Sequence, residues 1–222
     1  MKHTTTLPLI LGSFLFSVSC ATSLQDIEQD IGIETPQNVV RLSDQVVPQS
    51  YDLDLYVDPT LENFQGQAQI TFNLKAPARS IVLHGQDLIV ESATLELSGS
   101  DAGPVSVSWK ETHDDGTALL QVCEACGTLS PGLYTAVIKY TAPFAGDLDG
   151  LYRVQYDGNW YAFTQFEPLA ARKAFPGFDE PRFKTPFSVT IHRRAGDVAI
   201  ANEESIAVGE EVDRWVAERF KE

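Results

Sequence analysis

The 222-residue sequence predicts an all-β fold, an antiparallel β-sandwich or saddle of sheets. Three observations carry this. Apolar and polar residues alternate over short runs; Gly, Pro and Asp clusters separate those runs; and between residues 39 and 141 no stretch sustains a 3.6-residue apolar period. No internal repeat of fixed period is present.

The first predicted strand covers residues 50–57, where Tyr51, Leu53, Leu55 and Val57 alternate with polar neighbours and Asp58-Pro59 ends the run. The next, 66–74, places Ala68, Ile70, Phe72 and Leu74 on one face, and the two are expected to pair antiparallel. Further strands are predicted at 80–84, 88–97, 105–109, 119–123 and 134–140, divided by turn signals such as Asp114-Asp115-Gly116 and Ser130-Pro131-Gly132. After Pro143 a glycine-punctuated loop leads to a strand at 154–156. A tight turn at Gly158-Asn159 then leads into 160–164. Residues 168–175 suit one or two helical turns, with Pro168 where a first turn tolerates it. Strands are expected again at 187–192 and from 198, and residues 213–220 fit strand or helix.

Charge narrows the partners. With 31 acidic against 16 basic residues and a net charge of −15, nucleic acid and anionic membrane surfaces are disfavoured, while cationic or zwitterionic ligands are favoured. Solubility of an exported protein accounts for the same acidity.

Residues 1–19 read as an export signal: Lys2, then an apolar run over 7–18 too short to span a bilayer, then small residues before Cys20. Ser17-Val18-Ser19-Cys20 resembles the lipobox of bacterial lipoproteins, with Ser17 where Leu is usual. The expectation is a lipid on Cys20, a membrane-anchored lipoprotein of the cell envelope, and a polar, acidic tether over 20–38 before the folded body at 39–222. Cys123 and Cys126 form a C-x-x-C without the further ligands a structural zinc centre needs, and outside the strand–helix alternation that thioredoxin-like chemistry requires. A local disulfide across a turn is expected in an oxidising compartment.

Chemistry concentrates between residues 161 and 187. On a strand, Gln165 and Glu167 project from the face opposite Phe166, presenting an amide and a carboxylate side by side. A carboxylate closing a cleft suits a cation such as a peptide's free amine. Pairing with Arg172 or Lys173 is the plainer alternative, and the residues alone leave both open.

Thr164-Gln165-Phe166-Glu167-Pro168, followed by Ala171-Arg172-Lys173-Ala174-Phe175-Pro176-Gly177-Phe178-Asp179-Glu180-Pro181, closely resembles a segment of the aminopeptidase N-type zinc metallopeptidases, the gluzincin aminopeptidases. Arg41-Leu42, Val47-Pro48, Tyr51-Asp52-Leu53, Leu83-His84-Gly85 and Gly150-Leu151-Tyr152-Arg153 agree in order, so the resemblance covers about residues 39 to 220. It implies an N-terminal β-saddle domain whose Gln-x-Glu strand end reaches the active site of a following catalytic domain. There Glu167 would hold the substrate's α-amine and Gln165 would line the pocket for the first side chain.

The family's zinc site, His-Glu-x-x-His with a distant Glu, lies beyond this domain. Here His3, His84, His113 and His192 are none of them followed by Glu, and Gly177 stands where the family has Cys. The resemblance therefore implies zinc only in a catalytic domain, in cis or in trans, and predicts that this chain alone is inactive. The alternative is a stand-alone, lipid-anchored β domain that binds peptides or proteins without catalysis.

Overall fold

The computed structural model describes residues 41–112, 116–124 and 127–222. The expectations for the export signal, the tether, Cys20 and Cys126 lie outside those residues. Residues 41–222 belong to one compact unit, Val40–Glu222.

The chain forms thirteen strands among the described residues: β1 Val46–Val57, β2 Asn63–Leu74, β3 Ser80–His84, β4 Ile89–Leu97, β5 Val105–Ser106, β6 Ser108–Glu111, β7 Thr117–Gln121, β8 Gly132–Pro143, β9 Gly150–Tyr156, β10 Asn159–Gln165, β11 Phe187–Arg194, β12 Ser205–Val208 and β13 Trp215–Phe220. Eight make one sheet in the order β12-β13-β11-β1-β2-β8-β4-β5; β3-β7-β6 make a second, and β9-β10 a hairpin.

Alternation decides which face is buried. Ala68, Ile70, Phe72 and Leu74 of β2 are all buried, as are Tyr134, Ala136, Ile138 and Tyr140 of β8. They meet Ile81, Leu83 and Leu120 of the smaller sheet in one apolar cluster. Each large side chain removed from water there contributes about 1.5–3 kcal/mol.

The all-β reading and the antiparallel β1–β2 pair match the structure. Several local expectations do not. The strand expected at 105–109 is two: β5 pairs with β4 in the large sheet, β6 pairs with β7 in the small one, and the chain crosses between sheets at Val107. Pairing runs parallel between β1 and β11, with Tyr51 opposite Phe187, because the long connection through 144–186 returns the chain in the same direction. The β9–β10 loop is Asp157-Gly158, one residue earlier than expected, since Tyr156 pairs with Asn159. Its φ values of 49° and 79° are those a tight primed turn requires.

The expected strand start at 198 forms no strand: Val198 and Ile200 are 82% and 86% exposed, with no sheet to receive them. Residues 215–220 resolve as strand, entered by a second tight turn in which Asp213 and Arg214 have φ of 52° and 69°. The expected helix at 168–175 is a single 3₁₀ turn, Ala171–Lys173, because Pro176 disfavours helical backbone at Phe175. Cys123 is disulfide-bonded.

From Phe166 to Pro186 the chain has only that one 3₁₀ turn, and side chains from the sheets hold it. Tyr140 donates its hydroxyl to the Ala174 carbonyl at 2.8 Å. Tyr51 accepts the Phe178 N–H at 2.8 Å and stacks on Phe187 with centroids 4.3 Å apart. Burial pushes both phenols well above the usual tyrosine range, so both keep their protons. His84 exchanges backbone hydrogen bonds with Gly177 at 2.7 and 2.9 Å, and its Nδ1 accepts the Asp179 N–H at 3.1 Å. Buried Arg172 meets the Asp179 carboxylate at 2.9 Å. Glu180 accepts the Leu42 N–H at 2.6 Å, and Arg182 bonds Glu180, Asp44 and the Leu42 carbonyl, fastening the domain's first residues to the same loop.

Removing one member of a buried pair strands the other charge. Arg172→Met is therefore expected to cost about 3–5 kcal/mol, read as a lowered urea midpoint at unchanged slope; a midpoint equal to the parent's would show that Asp179 needs no such partner.

A second pair fixes the pH response. Asp58, at the end of β1, is buried, which by itself raises its pKa; hydrogen bonds from Thr60 and from Arg194, at 2.7 Å, outweigh that and hold the carboxyl below its ordinary range. A depressed folded-state pKa contributes stability that is complete above the unfolded value, about pH 4, and is lost as pH falls through the lower folded value. Asp58→Asn should be less stable than the parent at neutral pH, with the gap narrowing in acid. A gap constant across pH would remove Asp58 from the acid response.

Candidate functional site

β10 ends at Gln165, and the alternation that would carry Glu167 onto the same strand face stops there. The Phe166 carbonyl accepts the Ala170 N–H at 2.8 Å, which closes a turn, and the Glu167–Pro168 peptide bond is cis. Phe166 turns inward, edge to face with Phe175 at 5.7 Å. Gln165 remains exposed at the end of a face it shares with Tyr161 and Phe163, the latter 50% exposed. Glu167 is exposed two residues past the strand.

The hairpin is held by its opposite face. Leu151 is buried, and the Arg153 guanidinium lies 4.5 Å from the Trp160 ring while bonding the Pro59 carbonyl at 3.3 Å. That fixes the strand which delivers Gln165.

Glu167 lines an open groove of about 440 Å³. Its walls include the rings of Phe166, Phe175, Phe183 and Phe187. Gln165 is not among the lining residues, so the structure sets the amide and the carboxylate on adjoining surfaces.

The two cations expected as partners in the plainer reading are engaged elsewhere. Arg172 pairs with Asp179, and Lys173 with Asp149 at 2.9 Å. Among the described residues the Glu167 carboxylate has no hydrogen bond or ion pair. Of the other charged residues lining the groove, Asp179 and Glu180 are bonded as described, while Lys184 is exposed and likewise without such a partner.

Most of the motif that resembles the aminopeptidases proves structural. Phe178 packs on Phe72 and Phe183, Arg172 and Asp179 neutralise each other, and Glu180 caps the Leu42 N–H. At Gly177 a Cβ would lie 3.1 Å from the Tyr51 ring and hydroxyl, so a Cys there, as in the segment the motif resembles, needs the ring to give way by a few tenths of an ångström.

Among the described residues no group of three or more His, Cys, Asp or Glu is placed to hold a metal ion. What the end of β10 and the groove offer is a carboxylate, an amide and apolar, ring-lined walls.

The family model for the Peptidase M1 N-terminal domain matches residues 47–222. The chain is 34% identical over 209 residues to endoplasmic reticulum aminopeptidase 1 of Mus musculus, covering 88% of this chain and 22% of that protein. It is 31% identical over 166 residues to aminopeptidase M1-D of Oryza sativa subsp. japonica, covering 73% and 18%. To the membrane alanyl aminopeptidase of Heliothis virescens it is 32% identical over 166 residues, covering 70% and 16%. The chain thus spans about a fifth of the length of these curated relatives. With the family model matching residues 47–222, the chain belongs to the M1 aminopeptidase family, as its N-terminal domain.

Proposed function

We propose that this domain holds the free α-amine of a peptide on Glu167, with Gln165 beside the first side chain, as part of an exported zinc aminopeptidase that removes N-terminal amino acids. The observation that carries the reading is the exposed Glu167 carboxylate at the mouth of the groove, without a hydrogen bond or ion pair among the described residues. An uncommitted carboxylate in a largely apolar setting favours an ammonium partner, and a charge-assisted contact of that kind contributes roughly 1.5–3 kcal/mol.

Selection for chain ends follows. A blocked or internal peptide offers no ammonium, leaving Glu167 desolvated and unpaired. The domain's own part is thus recognition and orientation: it fixes where the first residue begins. Hydrolysis belongs to a zinc centre in a catalytic domain joined in cis or in trans, where a bound zinc activates water.

In the assembled enzyme, Glu167→Ala should raise KM and lower kcat for unblocked peptides. The resulting loss in kcat/KM is roughly tenfold to a hundredfold. Unchanged kinetics would sink the amine anchor.

We also propose that Cys20 carries a lipid which anchors the protein to the cell-envelope membrane, on the lipobox-like Ser17-Val18-Ser19-Cys20, and that Cys123 pairs with Cys126. Radioactive palmitate fed to cells should label the parent and not Cys20→Ala; equal labelling of both would remove the anchor.

A further inference from the structure

His84 is a buried titratable group that amine anchoring leaves unused. It ends β3, opposite Thr117 of β7, and is 3% exposed. From this point the small sheet grips the loop that follows Glu167. The His84 backbone exchanges hydrogen bonds with Gly177 at 2.7 and 2.9 Å, and Gln86 donates its N–H to the Arg172 carbonyl at 2.9 Å. The His84 ring adds a further bond, its Nδ1 accepting the Asp179 N–H at 3.1 Å.

The direction of that last bond fixes the state of the ring. A backbone N–H can only donate, so Nδ1 carries no hydrogen and the neutral ring holds its own on Nε2. A second proton would have to enter at Nδ1, facing the Asp179 N–H, and would put a cation where water has almost no access. The charged and titratable groups on the surrounding elements are committed. The Asp179 carboxylate meets Arg172 at 2.9 Å, Glu180 bonds Arg182, and Glu111 on β6 accepts the Leu88 N–H at 3.2 Å. The Tyr51 hydroxyl accepts the Phe178 N–H and keeps its proton.

We propose that His84 is an acid-sensitive latch: neutral, it holds the Gly177–Asp179 stretch against the small sheet, and protonated at Nδ1 it lets that stretch go. The latch acts on the loop itself, so it stands whether or not Glu167 holds an amine. An imidazole outside the fold takes its second proton at about pH 6.5. The released loop binds that proton and the held loop does not, so the latch is fully closed above this pH and weakens as pH falls below it. Gly177, Phe178 and Asp179 line the groove, which is therefore built at neutral pH and loosened in weak acid, well above the range in which Asp58 titrates.

The test is amide hydrogen exchange on the full chain, each rate corrected for the intrinsic effect of pH. In the parent, protection of the Gly177 and Asp179 N–H groups should fall about tenfold between about pH 7.5 and about pH 5.5. His84→Asn, whose side-chain oxygen replaces Nδ1 as acceptor and does not titrate, should keep that protection constant. Nitrogen NMR of the parent's imidazole at the higher pH should show Nδ1 bare and Nε2 protonated, with Nδ1 gaining its hydrogen as protection is lost. A hydrogen on Nδ1 at the higher pH, or constant protection in the parent, overturns the proposal. So does a His84→Asn variant that loses protection in acid as the parent does, since the response then belongs to another group. If His84→Asn does not fold, the parent's ring titration and its exchange profile decide between these outcomes.

Discussion

A backbone segment with almost no helix or strand of its own still has to satisfy its N–H and C=O groups when it is buried. The segment from Phe166 to Pro186 faces that requirement with one 3₁₀ turn, and the sheets answer it with side chains. Tyr140 supplies a donor to Ala174, Tyr51 an acceptor to Phe178, and His84 both backbone groups and a ring nitrogen to Gly177 and Asp179. The position of Glu167 depends on these contacts. They clamp the loop that follows it, and Phe166 beside it is packed on the clamped Phe175.

Ion pairs decide where most of the arginines go. An excess of acid over base would leave an acidic surface with many equivalent carboxylates. The structure instead commits several of them to arginines: Asp58 to Arg194, Glu218 to Arg193, Asp179 to Arg172 and Glu180 to Arg182. Lys173 is likewise consumed by Asp149. Of the three carboxylates that line the groove, Asp179 and Glu180 are thus paired and Glu167 has no partner among the described residues, a property that emerges only after the pairs are known.

Much of the fold was legible because half-buried strands write their burial into a period of two. Ala68, Ile70, Phe72 and Leu74 could be placed on one face from spacing alone. What stayed hidden was tertiary. Nothing in Val105 to Glu111 announces that its two halves pair in different sheets, and the apolar alternation at Val198 and Ile200 looks like strand although no layer receives it. At the site, spacing placed Gln165 and Glu167 together by extending a strand two residues too far. The backbone hydrogen bond from Ala170 to Phe166 ends that strand and separates them onto adjoining surfaces. Arg172 and Lys173 were visible as nearby cations, but their true partners lie at Asp179 and Asp149, and local sequence does not rank such choices.

The parallel pairing of β1 with β11 sets an order of events for the chain as it forms. β1 can pair with β2, and β2 with β8, once the first 143 residues exist. The other edge of β1 has no partner until Phe187 arrives opposite Tyr51. Contacts so distant in sequence form late and slowly. During that interval an unpaired edge next to the Tyr51 ring is available to any passing strand. The residues that finally cover it, the loop from Phe175 and β11 itself, are the same ones that build the groove. Completion of the site and closure of the sheet's vulnerable edge are thus one step.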